Sequence, residues 1–167
     1  MKNSKIKSLK KLQKICVKLR KEGKTIGLIT GCFDVLHVGH VAFLKFAKSK
    51  VDFLVVGLDN DKTIKISKSQ GRPIYGYSQR AEVLSELQSV DFVFQITATI
   101  DFGSPKAETV YVNISRKINP TAIFAVPLVD KYWINKRNRA KKLGVLFYEM
   151  KKIARTSSTD IIKKLEL

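Results

Sequence analysis

The sequence predicts an α/β fold in which a five-stranded parallel sheet carries helices on both of its faces. The first observation is a series of near-continuous apolar runs, which are typical of strands buried on both sides. The second is that segments with helical spacing separate these runs. The third is a length of 167 residues with 44% hydrophobic content, which suits one domain with a real core. We therefore expect a single domain over residues 1–167, with a basic N-terminal helix at 1–23 and a core at 24–167.

Apolar spacing and turn residues give the elements of the first half. Apolar side chains recur at helical spacing from Leu9 to Leu19, and Gly23 ends this helix. Ser78 is the predicted N-cap of a later helix that carries Arg80. In order, the predicted elements are the helix ending at Gly23, a strand at 25–30, a helix to about residue 50, a strand at 53–58, a polar loop at 59–77 and the helix after Ser78.

The second half continues the alternation. Ser104-Pro105 is a typical helix start, and Gly144 stops a very basic helix. Ser157 with Asp160 resembles a capping box at the start of the last helix. In order, the predicted elements are a strand at 92–96, a helix from Ser104 through residue 114, a strand at 122–126, a helix at 131–143, a strand at 145–148 and the final helix from Ser157.

The most informative segment, GCFDVLHVGH at residues 31–40, joins the first strand to the helix that follows. The only two histidines of the chain, His37 and His40, flank Gly39 there. Unpaired N–H groups at a helix start attract phosphate, and imidazoles add hydrogen bonds or charge near pH 7. Ligands of parallel α/β sheets bind beyond the carboxyl ends of the strands. The junction therefore predicts a site where a phosphate is held while chemistry occurs on it.

The charge of the chain narrows the class of partner. The formal net charge is +18, from 32 Lys and Arg against 14 Asp and Glu, and such a field attracts polyanions. The lysines are scattered along helix faces, and aromatic residues do not interleave with them as base stacking would require. We therefore favour a small phosphorylated substrate and regard nucleic acid as the unlikely alternative.

Composition also predicts location and excludes some kinds of site. No apolar run approaches the roughly 20 residues that span a bilayer, so no membrane association is expected. The basic N-terminus lacks the apolar core and cleavage site of a signal peptide. Cys16 and Cys32 lack CxxC spacing, which favours free thiols in a reducing cytoplasm. Two histidines and scattered carboxylates do not predict a protein metal site.

The junction also carries a known signature. Gly31, Phe33, Asp34, His37, Gly39 and His40 match a G-x-F-D-x-x-H-x-G-H segment, and the chain thereby resembles the cytidylyltransferase-like nucleotidyltransferases. Within them it is similar to the adenylyltransferase domain that activates heptose 1-phosphate, and also to glycerol-3-phosphate cytidylyltransferases and archaeal FAD synthetases. The resemblance covers roughly residues 12–96 and 155–165 and implies a Rossmann-like nucleotidyltransferase fold. Further matching blocks are Asp61, Arg72-Pro73, Gln79-Arg80, Val90-Asp91 and a Ser-Thr-Thr-x-Ile type segment at 157–162.

The resemblance implies attack by a phosphate oxygen of an acceptor on the α-phosphorus of a nucleoside triphosphate, with pyrophosphate leaving. Catalysis of this kind consists of positioning and charge stabilisation. The expected co-substrate is ATP or CTP, with ATP favoured, and Mg²⁺ is the expected cofactor. Dimers are common in the family, so the resemblance makes a homodimer possible, although nothing in the sequence itself indicates one. The expected catalytic residues are His37, His40, Lys48 and Arg80; those expected to bind nucleotide are Gly31, Cys32, Phe33, Asp34, Gly39, Lys65, Lys68, Arg72, Arg155, Ser157, Ser158 and Thr159.

Each of these residue types also has a simpler reading. Asp34 either caps the junction or binds Mg²⁺ through water, and Arg80 either reaches the triphosphate or forms a surface ion pair. Lys48 either steers phosphate or lies on a solvated helix face. The lysines of the 59–77 loop either close over the triphosphate as part of a lid or are solvated. Cys32 is interpreted as a small apolar filler and not as a nucleophile.

One segment departs from the family pattern. After the fourth strand the family usually has a Gly-Asp segment near the nucleotide, whereas this chain reads AVPLVD at residues 125–130. We expect a differently shaped pocket there, which affects the choice of base and acceptor. Together with the net charge, this departure supports an alternative function, a catalytically silent module that binds nucleotide or nucleic acid.

Overall fold

The apolar runs form a five-stranded parallel sheet, as predicted, in the strand order β3-β2-β1-β4-β5. The computed structural model describes residues 5–68, 70–102, 104, 106–151 and 158–164. Within these ranges no helix is long and apolar enough to cross a membrane. The elements are α1 (Leu9–Lys21), β1 (Ile26–Gly31), α2 (Val38–Lys48), β2 (Phe53–Asp59), α3 (Asp61–Ser67), α4 (Tyr77–Glu86), β3 (Phe92–Ile96), α5 (Lys106–Ile118), β4 (Ala122–Ala125), α6 (Trp133–Leu143), β5 (Leu146–Glu149) and α7 (Ser158–Lys164).

The order of the strands reverses between β1 and β4. From β1 the chain adds β2 and β3 on one side and then crosses back to add β4 and β5 on the other. The β1–β2 ladder runs from Ile26 to Gly31, but the β1–β4 ladder includes only Gly27 and Leu28 of β1. The carboxyl ends of β1 and β4 therefore extend beyond their shared ladder. Ligands of such sheets bind at this point.

Helices cover both faces of the sheet, and each face has its own apolar cluster. On one face, α2 and α4 contribute Phe43, Leu44 and Leu84, among others. On the other face, α1 and α5 contribute Leu12, Cys16 and Ile114, among others. Side chains of successive strand residues point to opposite faces, and this is why near-continuous apolar strands can supply both clusters.

The basic N-terminal helix is part of the core. Leu12 and Cys16 of α1 are fully buried against the second face, and the guanidinium of Arg20 donates to the carbonyls of Ile118 and Asn119 at 2.7 and 2.9 Å. Lys5 and Lys7 exchange backbone hydrogen bonds with Val93 of β3. The basic helix therefore packs on the same sheet as the helices that follow it, because an amphipathic helix buries its apolar stripe whatever its polar face carries.

Two local predictions for the first half were wrong. The polar loop expected at 59–77 contains α3, which Asn60 caps by accepting a hydrogen bond from the Thr63 N–H at 2.8 Å. Gly76, and not Ser78, is the N-cap of α4; its N–H donates to the side chain of Gln79 at 3.1 Å. The first N–H group of the helix, that of Tyr77, donates to the carboxylate of Asp61 at 3.2 Å, so a residue outside α4 serves its N-terminus.

Candidate active site

His37 and His40 lie together where β1 leads into α2. His37 is the N-cap of α2, and its Nδ1 accepts a hydrogen bond from the N–H of Gly39 at 3.1 Å. The rings of His37 and His40 have centroids 3.9 Å apart at a tilt of 31°, and Phe33 packs against His40 at 5.1 Å. Because Nδ1 of His37 is an acceptor, the proton of its neutral ring is on Nε2, which is free to donate to a ligand.

Burial favours the neutral form of both imidazoles. It lowers the pKa of His37, and it lowers the pKa of His40 to about 3 with a further contribution from neighbouring His37, against the opposing effect of Asp34. Nδ1 of His40 is buried and has no hydrogen-bond partner among the described residues. A neutral imidazole acts as a hydrogen-bond donor and acceptor and not as a fixed positive charge. The pair can therefore hydrogen-bond phosphate oxygens.

The loop before His37 has strained backbone. Phe33 and Val35 both have positive φ, at 50° and 52°, and this conformation is a clear outlier for a β-branched residue such as Val35. The hydroxyl of Ser158, at the start of α7, donates to the carbonyls of Asp34 and Val35 at 2.6 and 3.3 Å. Strain of this kind persists where surrounding contacts impose it, often at functional sites. α7 thus meets the junction loop through Ser158.

Asp34 is a structural residue. Its side chain is 2% exposed, and its carboxylate accepts from Nε of Arg72 at 2.5 Å and from the N–H groups of Ile74 and Tyr75 at 3.0–3.1 Å. These bonds hold the 72–75 segment against the junction. Of the two readings left open for Asp34, the structural one is observed.

Arg80 lies beneath the same loop, with its side chain 2% exposed. Its guanidinium donates to the carbonyls of Cys32, Tyr75 and Asp59 and to the carboxylate of Asp61. Arg80 does pair with the carboxylate of Asp61 at 2.8 Å, but the guanidinium is buried rather than on the surface, and its three other partners are carbonyls. Arg80 joins the junction, the end of β2 and the start of α4, and so positions the backbone at the site.

A buried polar cluster at the end of β2 was not predicted. Asp59 is 1% exposed and accepts from the hydroxyl of Tyr111 at 2.8 Å, while the thiol of Cys32 lies 3.5 Å from its other oxygen. Burial raises the pKa of Asp59 and, together with that carboxylate, raises the pKa of Cys32 to about 12. A protonated thiol is a poor nucleophile, in agreement with the sequence interpretation of Cys32. An acidic residue directly after an apolar strand was the available signal for Asp59.

Lys48 does not lie at the candidate site, contrary to the prediction that it is a catalytic residue. Its ammonium bonds the carboxylate of Asp91 at 2.7 Å and the carbonyl of Asp52. Those partners precede β3 and β2 and therefore lie at the amino ends of the strands, opposite the histidines. α2 runs antiparallel to the strands, so eight residues beyond His40 carry the side chain roughly 12 Å along the helix, away from the site.

The remaining predicted residues lie in different surroundings. Gly31, Phe33 and Gly39 belong to the junction itself, and Phe33 packs into the core as expected. Lys65 on α3 and Lys68 at its end are exposed, and Lys68 is close enough to lower the pKa of Cys32 against the effect of burial. Arg72 is 7% exposed in its pair with Asp34, and Thr159 is exposed on α7. Arg155 and Ser157 lie outside the described residues.

The described side chains do not form a Mg²⁺ site. In the described ranges no three His, Cys, Asp or Glu residues come together in an arrangement that could hold a metal ion. The carboxylate of Asp34 is already occupied by Arg72 and two backbone N–H groups. Mg²⁺ binds through as few as one or two carboxylates together with water, but both oxygens of Asp34 already accept hydrogen bonds, so Asp34 does not fit that role.

The loop after β4 contributes Asp130, and α6 contributes Lys136. The ammonium of Lys136 lies 2.7 Å from the carboxylate of Asp130 and 3.0 Å from the carbonyl of Thr30. Leu128 and Val129 in the same loop are more than half exposed. The departure at 125–130 therefore gives this edge of the sheet exposed apolar side chains and an ion pair.

Known proteins were compared with the chain at the level of sequence. The profile of the cytidylyltransferase-like family matches residues 28–164. The bifunctional protein HldE of Aliarcobacter butzleri is 45% identical over 91 residues, and that of Geobacter sulfurreducens is 41% identical over 91 residues. Each alignment covers 54% of this chain and 19% of the relative, so the matched stretch is about a fifth of those proteins. The resemblance inferred from the motifs is confirmed.

Solved structures show the same architecture. The lipopolysaccharide core biosynthesis protein from Thermoplasma volcanium superposes with a TM-score of 0.61 at 26% identity, covering 79% of this chain and 100% of that one. A pantoate-beta-alanine ligase from Francisella tularensis, complexed with beta-gamma ATP and beta-alanine, gives a TM-score of 0.63 at 17% identity, covering 96% of this chain and 76% of that one. The second match shows the fold alone.

Proposed function

The chain belongs to the cytidylyltransferase-like family, and we propose that it transfers a nucleoside monophosphate from ATP or CTP to a small phosphorylated acceptor. An acceptor phosphate oxygen bonds to the α-phosphorus, and the bond from that phosphorus to the bridging oxygen breaks. Pyrophosphate leaves with those electrons. The observation that carries the proposal is the pair of histidines at the start of α2, where the strand order reverses; their ring centroids are 3.9 Å apart, and burial lowers the pKa of both.

The protein residues supply positioning and hydrogen bonds. Nε2 of His37 and the imidazole of His40 donate to phosphate oxygens, and these bonds strengthen as charge develops in the transition state. Lys65 and Lys68 face solvent and supply positive charge for the outer phosphates. Arg155, Ser157 and Thr159 are proposed to complete the phosphate site beside α7. Because the described carboxylates do not form a metal site, we propose that Mg²⁺ enters with the triphosphate, as part of the substrate.

The comparisons support ATP and a sugar phosphate as the first substrates to test. Sequence relatives are bifunctional HldE proteins, and the sequence motifs resemble those of the heptose-activating adenylyltransferase domain. The structural neighbour at 26% identity is a lipopolysaccharide core biosynthesis protein, which is consistent with a sugar acceptor. We propose an activated sugar as the product.

The test is pyrophosphate release from a panel of substrate pairs. ATP and CTP are each combined with sugar 1-phosphates, glycerol 3-phosphate and FMN. We expect release that needs both substrates and is highest for ATP with a sugar phosphate. No release from any pair would contradict the proposal and would favour a silent binding module, for which the net charge of +18 is the supporting observation.

A further inference from the structure

The ammonium of Lys136 lies at the carboxyl end of β1, and the reaction described above gives it no role. Thr30 lies beyond the two-residue β1–β4 ladder, and its carbonyl accepts a hydrogen bond from Nζ of Lys136 at 3.0 Å. The same ammonium lies 2.7 Å from Asp130. These contacts place the charge of Lys136 at the carboxyl end of β1, at the point where ligands of such sheets bind.

Lys136 retains a donor for a ligand. An ammonium has three N–H bonds, and contacts within the described part of the chain use two of them. The side chain is 14% exposed, so the ammonium is desolvated and yet reachable from solvent. It also lies close enough to Asp59 to oppose the effect of burial on the pKa of that carboxyl. A partly buried, pre-positioned ammonium is a strong binder of phosphate oxygens.

Lys136 and the histidines approach the end of β1 from opposite faces of the sheet. The histidines belong to α2, which packs on the first face. α6 lies beside α5 on the second face, because Arg139 pairs with Glu108 and covers the ring of Tyr111. In an in-line attack on the α-phosphorus, the oxygen of the acceptor phosphate approaches from the side opposite the leaving pyrophosphate. If the triphosphate occupies the histidine side, the acceptor phosphate meets it from the side of Lys136.

We propose that Lys136 binds the phosphate of the acceptor, and that Asp130 holds the ammonium in place until that phosphate arrives. The inference rests on the proposed function. The acceptor is accordingly a phosphate monoester. The 125–130 segment, which departs from the family pattern, takes part in binding it. The competing explanation is that the two contacts of Lys136 only tie α6 to the loop after β4 and to the end of β1.

Kinetics of matched variants separate these explanations. With the best pair from the panel, Lys136→Met is expected to raise the KM of the acceptor at least tenfold while the KM of the triphosphate changes less than threefold. Lys136→Arg should restore part of the loss. Lys142→Met, an exposed lysine on the same helix, is the control. An unchanged acceptor KM in Lys136→Met, with loss of thermal stability alone, would overturn the inference.

A binding measurement makes the outcome independent of turnover. Inorganic phosphate is titrated calorimetrically into the wild type, Lys136→Met and Lys142→Met. We expect at least tenfold weaker binding in Lys136→Met alone. If the panel shows no turnover but phosphate affinity still depends on Lys136, the proposed function fails and the phosphate site stands. If turnover is found and neither acceptor KM nor phosphate affinity responds to Lys136→Met, the proposed function stands and this inference fails.

Discussion

At the scale of single residues, substitutions of His40 and Lys48, which both belong to α2, are expected to have opposite effects on activity. His40 lies against His37 at the site, whereas Lys48 is bound to Asp91 at the other edge of the sheet. His40→Ala should lower kcat at least 100-fold, since one transition-state hydrogen-bonding group contributes roughly 3 kcal/mol. Lys48→Met should retain kcat within about threefold. Pyrophosphate release by the two variants, with circular dichroism to establish folding, checks both expectations, and equal losses would contradict the assignment.

His40 also predicts a pH dependence of stability. Its pKa is near 6.5 in the unfolded chain but lowered to about 3 in the fold, so the unfolded state binds more protons between these values. The free energy of unfolding should therefore fall as the pH decreases from 7, with a contribution from His40 of about 2 kcal/mol at pH 5. Urea unfolding at pH 7 and pH 5 should show a smaller loss in His40→Asn than in the wild type. The same loss in both proteins would show that His40 is not buried as described.

At the scale of elements, the contact between the junction loop and the 72–75 segment depends on one carboxylate. Asp34→Ala would leave the guanidinium of Arg72 buried and unpaired, at a cost of about 3 kcal/mol in unfolding free energy. The double variant Asp34→Ala/Arg72→Met should recover part of this loss. Glu22→Ala removes a carboxylate from an exposed pair with Lys18 and should change stability by less than about 1 kcal/mol. Chemical denaturation of the four proteins measures these values, and equal costs for Asp34→Ala and Glu22→Ala would contradict the structural role.

The sequence predicted some elements well and others poorly, for physical reasons. The first and last residues predicted for the third strand agree with those of β3, because an apolar run in a parallel sheet is bounded by polar residues. α3 was missed because only Thr63 and Ile64 in it are buried, so it has almost no apolar stripe to detect. The role of Asp34 also required the structure, since its partners lie some forty residues away. Lys136 lies more than a hundred residues from Thr30, a contact that only the fold can bring about.

At the scale of the whole molecule, the net charge of +18 sets a prediction about nucleic acid. Any oligonucleotide binding should come mainly from phosphate neutralisation, and affinity should fall by roughly 10³-fold or more between 50 and 200 mM salt. Release of pyrophosphate from small substrates should change much less over that range, because it depends on a few local contacts. Fluorescence anisotropy and the pyrophosphate assay, run in parallel, measure both. Salt-resistant oligonucleotide binding without turnover would favour the silent binding module.

The most direct test of the account follows the α-phosphate of the nucleotide. The wild type is incubated with ATP labelled at the α-phosphate and the acceptor selected by the panel, and the labelled products are separated. The account predicts that label appears in the acceptor with one equivalent of pyrophosphate, and that His40→Ala loses this transfer at least 100-fold. Label that stays in ATP, or that is released as free AMP without entering the acceptor, would contradict nucleotidyl transfer at the His37–His40 junction.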